Sequence, residues 1–220
     1  MPLTLTPVAA PAGLAIDIWQ LEMDLTAQLP QVLWHLLSEA EQQHFQRFRR
    51  HSDQQRFALV RASLRQLLGA RLGADPDRLP IETGPHGKPQ LAGLPLHFNV
   101  SHAGELALIA ISADQPVGID IERAGSSPEL ADYVCSNSEL AYLAAQAERA
   151  AAFLAIWAGK EAVLKAWGCG ISEPLNRLTA LPGPRYQLAW DEQPLSGTEA
   201  WALPVPTGFA AALAVCDQTC

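Results

Sequence analysis

No apolar run in this chain reaches the ~18–20 residues that a membrane-spanning helix requires, so no membrane role is expected. The first residues carry no basic segment ahead of an apolar stretch, which argues against a secretory signal and for a cytoplasmic protein. Cysteine is scarce: Cys135, Cys169, Cys216 and Cys220 show neither CxxC nor zinc-ligand spacing. With no export signal, all four are expected as free thiols. A surplus of positive charge is missing too. The net charge of −8 excludes a general nucleic-acid binder, which needs a basic surface. What is there is 220 residues with 49% hydrophobic composition, enough for a real core and far from disorder. The positive charge that exists is uneven: Arg47, Arg49, Arg50, Arg56, Arg61, Arg65 and Arg71 fall in one short stretch. They form either a solvated helix face or a local anion site.

Three acidic residues in the second half carry the chemistry. In Val117-Gly118-Ile119-Asp120-Ile121-Glu122 the aliphatics alternate with Gly118, Asp120 and Glu122. Strand side chains have period two, so both carboxylates share one face, and two on one face repel unless something positive lies between them. Gly118 is expected to keep that face open for a ligand. Glu161 lies in Trp157-Ala158-Gly159-Lys160-Glu161-Ala162-Val163-Leu164-Lys165, a segment apolar almost all round and so expected to be a buried helix. Buried charge is costly unless paired or metal-bound. Glu161 and Lys165, one turn apart, are then either an i,i+4 ion pair or part of a site shared with Asp120 and Glu122.

The rest of the chain reads as α+β. Gly13–Trp19 is expected as a strand, Ser38 as an N-cap with Glu41 at the capping-box position, and Arg56–Leu72 as a helix ended by Gly73 and Pro76. Strands over Leu96–Val100 and Leu106–Ile111 flank Ser101-His102-Ala103-Gly104. The order then repeats: strand Val117–Glu122, a helix start at Ser136–Leu140 and a long helix to Gly168. Ile16-Asp17-Ile18 parallels Ile119-Asp120-Ile121, and Arg61-Ala62 before Gly69 parallels Lys160-Glu161 before Gly168. Two related halves are expected, residues 1–114 and 115–220. Trp19 and Ala62 stand where the second half has Glu122 and Glu161, so one metal site per chain is expected. The Pro-rich C-terminal third suggests strands near Arg185–Trp190 and Phe209–Cys216.

Four motifs in fixed order, Gly87-Lys88-Pro89, Phe98-Asn99-Val100-Ser101-His102, Gly118-Ile119-Asp120-Ile121-Glu122 and Trp157-x-x-Lys160-Glu161-Ala162-x-x-Lys165, together resemble the 4′-phosphopantetheinyl transferase superfamily. The resemblance is to its two-halved, Sfp-type branch and covers roughly residues 38–170. It implies a pseudo-dimer of two α+β halves with the active site at their interface. It also implies transfer of phosphopantetheine from coenzyme A to a serine of an apo acyl, peptidyl or aryl carrier protein, releasing 3′,5′-ADP. The carriers serve fatty-acid synthesis or secondary metabolism.

By the same resemblance, Asp120, Glu122 and Glu161 hold Mg²⁺, with Mn²⁺ as an alternative. Glu161, Lys165 and Asp120 are catalytic, Glu161 as ligand first and proton acceptor second. Arg56, Lys88, Pro89, Ser101, His102 and Lys165 contact coenzyme A, Arg56 at the 3′-phosphate. Glu41 and His44 stand where some relatives are basic. Either Arg47, Arg49 or Arg50 compensates or the 3′-phosphate is held less tightly. The duplicated halves imply a monomer. Two other functions compete: a metal-dependent phosphohydrolase, invited by Ser101-His102, and a non-catalytic coenzyme A or carrier-binding module.

Overall fold

The computed structural model describes residues 3–84, 86–125, 130–170 and 175–217. Along the chain run β1 (Leu3–Val8), β2 (Ile16–Met23), α1 (Gln31–Trp34), α2 (Glu39–Phe45), α3 (His51–Leu72), β3 (Ile81–Thr83), β4 (Pro89–Leu91), β5 (His97–Ala103) and β6 (Leu106–Ser112). Then follow β7 (Val117–Arg123), α4 (Ala131–Val134), α5 (Asn137–Ala144), α6 (Arg149–Trp167), β8 (Leu178–Leu181), β9 (Gln187–Trp190), β10 (Gln193–Pro194), β11 (Thr198–Ala202) and β12 (Phe209–Cys216). The α+β class is as expected. The four-stranded sheet has order β1-β2-β6-β5, and a three-stranded sheet has order β11-β12-β7. In each an early strand of a half pairs antiparallel with the last, β2 with β6 and β7 with β12. The last pairs in turn with the one before it, β5 or β11.

The inner faces of the two sheets pack on each other. Ile16, Ile18, Leu106 and Leu108 meet Val117, Ile119, Ile121, Leu213 and Val215 in one core. The outer face of the first sheet carries α3, through Leu21, Leu59, Ala62 and Ala107 and through Leu64, Leu68, Ile109 and Ile111. With both faces covered, β6 is buried along its whole length, and its sequence is apolar from Leu106 to Ile111 for that reason.

The outer face of the second sheet carries α6. Ala158, Ala162 and Ala166, at helical spacing, lie against Ala212 and Ala214, and small side chains let the backbones approach closely. Gly118 is the limit of this approach. A Cβ there would lie 2.0 Å from the Ala162 carbonyl oxygen and 2.3 Å from the Ala166 nitrogen. The expectation that Gly118 opens the carboxylate face to a ligand is corrected: the room goes to the helix. Gly118→Ala is expected to force β7 and α6 apart and to destabilise by about 1–3 kcal/mol or more, read as a drop in the urea midpoint. An unchanged midpoint would show that the two backbones are not in contact.

The helix starts are built alike. Ser38 and Ser136 each cap a short helix, and Glu41 and Glu139 close the capping boxes. Each glutamate also meets a buried cation from the following long helix: Arg65 Nε at 2.7 Å from Glu41, and Lys160 Nζ at 2.7 Å from Glu139. Both long helices end on a left-handed glycine, Gly73 and Gly168. Arg65 and Lys160 stand at the same spacing ahead of those glycines. The register read from sequence, Arg61 with Lys160, is therefore one turn out, and Gln66 rather than Ala62 occupies the place of Glu161.

Other boundaries shift. α3 starts at His51, the second-half helix is broken into α5 and α6, and Ser101 to Ala103 continue β5 up to the turn at Gly104, where φ is 57°. Cys135 is a buried free thiol, whereas Cys169 is in a disulfide, which corrects the expectation of free thiols at that position. Cys220 and Pro85 lie outside the described residues. Among the described residues, no helix is long and apolar enough to cross a membrane.

Candidate active site

Asp120 is delivered by β7 onto its α6 side and is 2% exposed. Its Oδ1 accepts from Lys165 Nζ at 2.5 Å and from Ser101 Oγ at 2.8 Å, and Lys165 Nζ also donates to Ser101 Oγ at 3.2 Å. Thus one residue from each of β5, β7 and α6 closes a charge-assisted cluster across the seam between the two sheets. The seam has a second stitch one strand-pair on: the Ile119 amide donates to Asn99 Oδ1 at 2.8 Å. Asn99 and Ser101 share one face of β5, two residues apart. Lys165 therefore pairs with Asp120, a contact that helical spacing alone, which offers Glu161, could not disclose.

Glu122 accepts from the Trp157 indole N–H at 3.0 Å. Glu161, one turn after Trp157 on α6, lines a cavity of about 340 Å³ together with Lys88, Pro89, Asn99, Val100 and Lys165. Desolvation pushes the Glu161 carboxyl above its usual range, Lys165 pulls it down, and Asp120 and Glu122 push it up again. Glu122 is likewise raised, by desolvation and then by Asp120, against the Trp157 hydrogen bond. The three carboxylates thus sense one another. They do not stand as a finished cage: among the described residues, no group of three His, Cys, Asp or Glu is spaced to hold a metal ion. Two buried carboxylate oxygens, Asp120 Oδ2 and Glu161 Oε1, have no hydrogen-bond partner among the described residues. Hard oxygen donors in excess over Lys165 are the donor chemistry that suits a hard divalent cation, so these residues fit one in chemistry though not in spacing.

The remaining expected positions divide. Arg56, His102 and Arg61 line a second cavity of about 350 Å³ with Phe48 and Phe57, and its wall shares Pro89 and Val100 with the first. Arg56 is braced by Asp53 Oδ1 at 2.8 Å and by the Gly104 carbonyl at 3.1 Å. His102 points to the opposite face of β5 from Ser101, since adjacent strand residues alternate. A Ser101–His102 nucleophile pair is therefore sterically excluded. Lys88 Nζ donates to the backbone carbonyls of Val117 and Lys165, at 2.9 and 2.5 Å.

The arginine stretch is not one face: Arg65 is buried on Glu41, Arg61 lies 3.4 Å from the same carboxylate, and Arg47, Arg49 and Arg50 are exposed. Glu41 is neutralised inward, and the His44 ring packs on Phe48 and Phe57. Arg61, Asn99 and Trp157 escaped the sequence reading as site residues. Each had a signal that went unused: Trp157 and Asn99 have fixed places in two of the four motifs, and Arg61 lies in the arginine stretch.

The site is thus a carboxylate–lysine cluster at the seam between the two packed sheets. Residues 26–114 match the 4′-phosphopantetheinyl transferase N-terminal family model, and residues 116–214 match that of the 4′-phosphopantetheinyl transferase superfamily. HetI of Nostoc sp., a 4′-phosphopantetheinyl transferase, is 30% identical over 72% of this chain and 70% of its own length. The chain belongs to this superfamily. Its branch is the Sfp type: Sfp of Bacillus subtilis is 32% identical over 64% of either chain, and slr0495 of Synechocystis sp. is 36% identical over 65% of this chain and 61% of that protein. The match thus spans under two thirds of the length of slr0495 and of Sfp. The holo-[acyl-carrier-protein] synthase of Thermotoga maritima superposes with a TM-score of 0.39 at 21% identity, covering 47% of this chain and 63% of that one, too low a likeness to bear on the assignment.

Proposed function

We propose that this chain transfers the 4′-phosphopantetheine arm of coenzyme A to a serine of an apo acyl, peptidyl or aryl carrier protein, releasing 3′,5′-ADP. In this reading residues 1–114 supply the nucleotide handles, residues 115–220 supply the catalytic helix and carboxylates, and the chain acts as a monomer. The observation that carries it is the buried Asp120–Lys165–Ser101 cluster, whose Lys165 lines, with Glu161, a cleft shared by both halves. The cleft suits an elongated anion, with its nucleotide end at Arg56, Arg61 and His102 and its diphosphate towards Lys165.

The carrier hydroxyl attacks the phosphorus nearer the pantetheine. As that P–O bond forms, the bond to the bridging oxygen breaks, and its electron pair departs with 3′,5′-ADP. Glu161 takes the hydroxyl proton, directly or through water; a carboxylate raised by desolvation is a better base than an exposed one. Lys165, oriented by Asp120 and Ser101, opposes the charge on the departing phosphate. Asp120, Glu122 and Glu161 are the residues that would hold Mg²⁺ or Mn²⁺, which when bound supplies charge neutralisation at the diphosphate.

Incubation with coenzyme A and Mg²⁺, with and without an apo carrier, tests this. The carrier is expected to gain the mass of phosphopantetheine. Nucleotide release without carrier would indicate a phosphohydrolase instead, and no turnover with any of a panel of acyl and peptidyl carriers would leave a binding module.

A further inference from the structure

Lys88 resembles a ligand handle in sequence, yet its ammonium is engaged elsewhere. It lies in the tight link between β3 and β4, where the Gly84 amide donates to the Lys88 carbonyl at 2.9 Å and Gly87 takes a φ of 83°. From that first-half hairpin the side chain reaches across the seam and donates to Val117 O at 2.9 Å and Lys165 O at 2.5 Å. Val117 begins the strand that carries Asp120. Lys165 lies in the last turn of α6, where carbonyls have no partner within the helix, and the Gly168 amide closes on Leu164 O instead. A cation at that end also meets the negative pole of the helix dipole. The Lys88 ammonium is thus a C-terminal cap on α6 supplied by the other half.

We propose that Lys88 is a positioning residue: by gripping the Val117 and Lys165 carbonyls it holds the end of α6 and the start of β7 against the first half, and so aims the Lys165 side chain at Asp120. Both carbonyls lie within a few residues of the cluster they serve, and no other hydrogen bond described between side chain and backbone joins the hairpin to the second half. The inference rests on the transferase reading only for its turnover consequence.

Two readouts test it. In Lys88→Met, amide exchange at Ile119 and Gly168 is expected to rise about tenfold, the net worth of roughly one hydrogen bond. In the same variant turnover at saturating coenzyme A is expected to fall by about tenfold or more, with coenzyme A affinity held within about threefold. Lys88→Arg, whose guanidinium can still donate to both carbonyls, is expected to restore most of the protection. Unchanged exchange at both amides overturns the proposal, and so does a tenfold loss of affinity with normal turnover, the signature of a phosphate handle. Should Lys88→Met fail to fold, Lys88→Gln carries the test by the same exchange criterion. Because exchange needs no substrate, failure of the tie and failure of the transferase reading give different results.

Discussion

Glu161→Gln is expected to lower phosphopantetheine transfer by about 10²–10⁴-fold, the span a proton-accepting carboxylate contributes, and to leave the fold intact. The amide has the shape of the carboxyl and removes a charge that burial and two neighbouring carboxylates oppose more than Lys165 favours it. The thermal midpoint should therefore hold or rise while the mass gain on the carrier disappears. Asp120→Ala is the instructive contrast. Asp120 is buried and anchors both Lys165 and Ser101, so its loss leaves a cation without its counter-charge and lowers stability and activity together. Near-normal turnover of the Glu161 variant at limiting Mg²⁺ would remove Glu161 from the site.

Glu139→Ala carries the largest expected stability effect. Lys160 and Glu139 are both 0% exposed, and Lys160 Nζ is ringed by Glu139 and the carbonyls of Val134, Leu175 and Leu178. Glu139 in turn accepts from the Ser136 and Ala180 amides at 2.7 Å each. Removing one member of such a pair leaves an uncompensated buried charge, a cost of about 3–5 kcal/mol. Burial already pushes Lys160 below its usual range, and Glu139 pulls it back. Urea unfolding of Glu139→Ala should show this loss, and adding Lys160→Met in the same chain should recover part of it. A single variant as stable as the parent would mean that the lysine finds another counter-charge or is buried neutral.

Much of the local structure was legible in the residues because the signals are local. Ser38 with Glu41 and Ser136 with Glu139 are capping boxes within four residues, Gly73 and Gly168 mark left-handed ends, and the Val117–Glu122 alternation sorts its side chains by period. Register between the halves was not legible. Arg61 and Arg65 are one helical turn apart and both reach Glu41, and the deeper burial of Arg65 and its spacing from Gly73, equal to that of Lys160 from Gly168, identify it as the match. Ser101 to Ala103 stood between two expected strands, whereas in the fold they extend β5, with Ser101 on the seam to Asp120 and His102 on the opposite face.

The sequence by itself determined which groups are available: the carboxylates of one strand face, a helix carrying Glu161 and Lys165, and the glycines and alanines that let strand and helix touch. Tertiary structure alone decided who partners whom. It gave Lys165 to Asp120, Trp157 to Glu122 and Lys88 to two backbone carbonyls, because each contact joins segments far apart in the chain, and period and spacing carry no information beyond their own element.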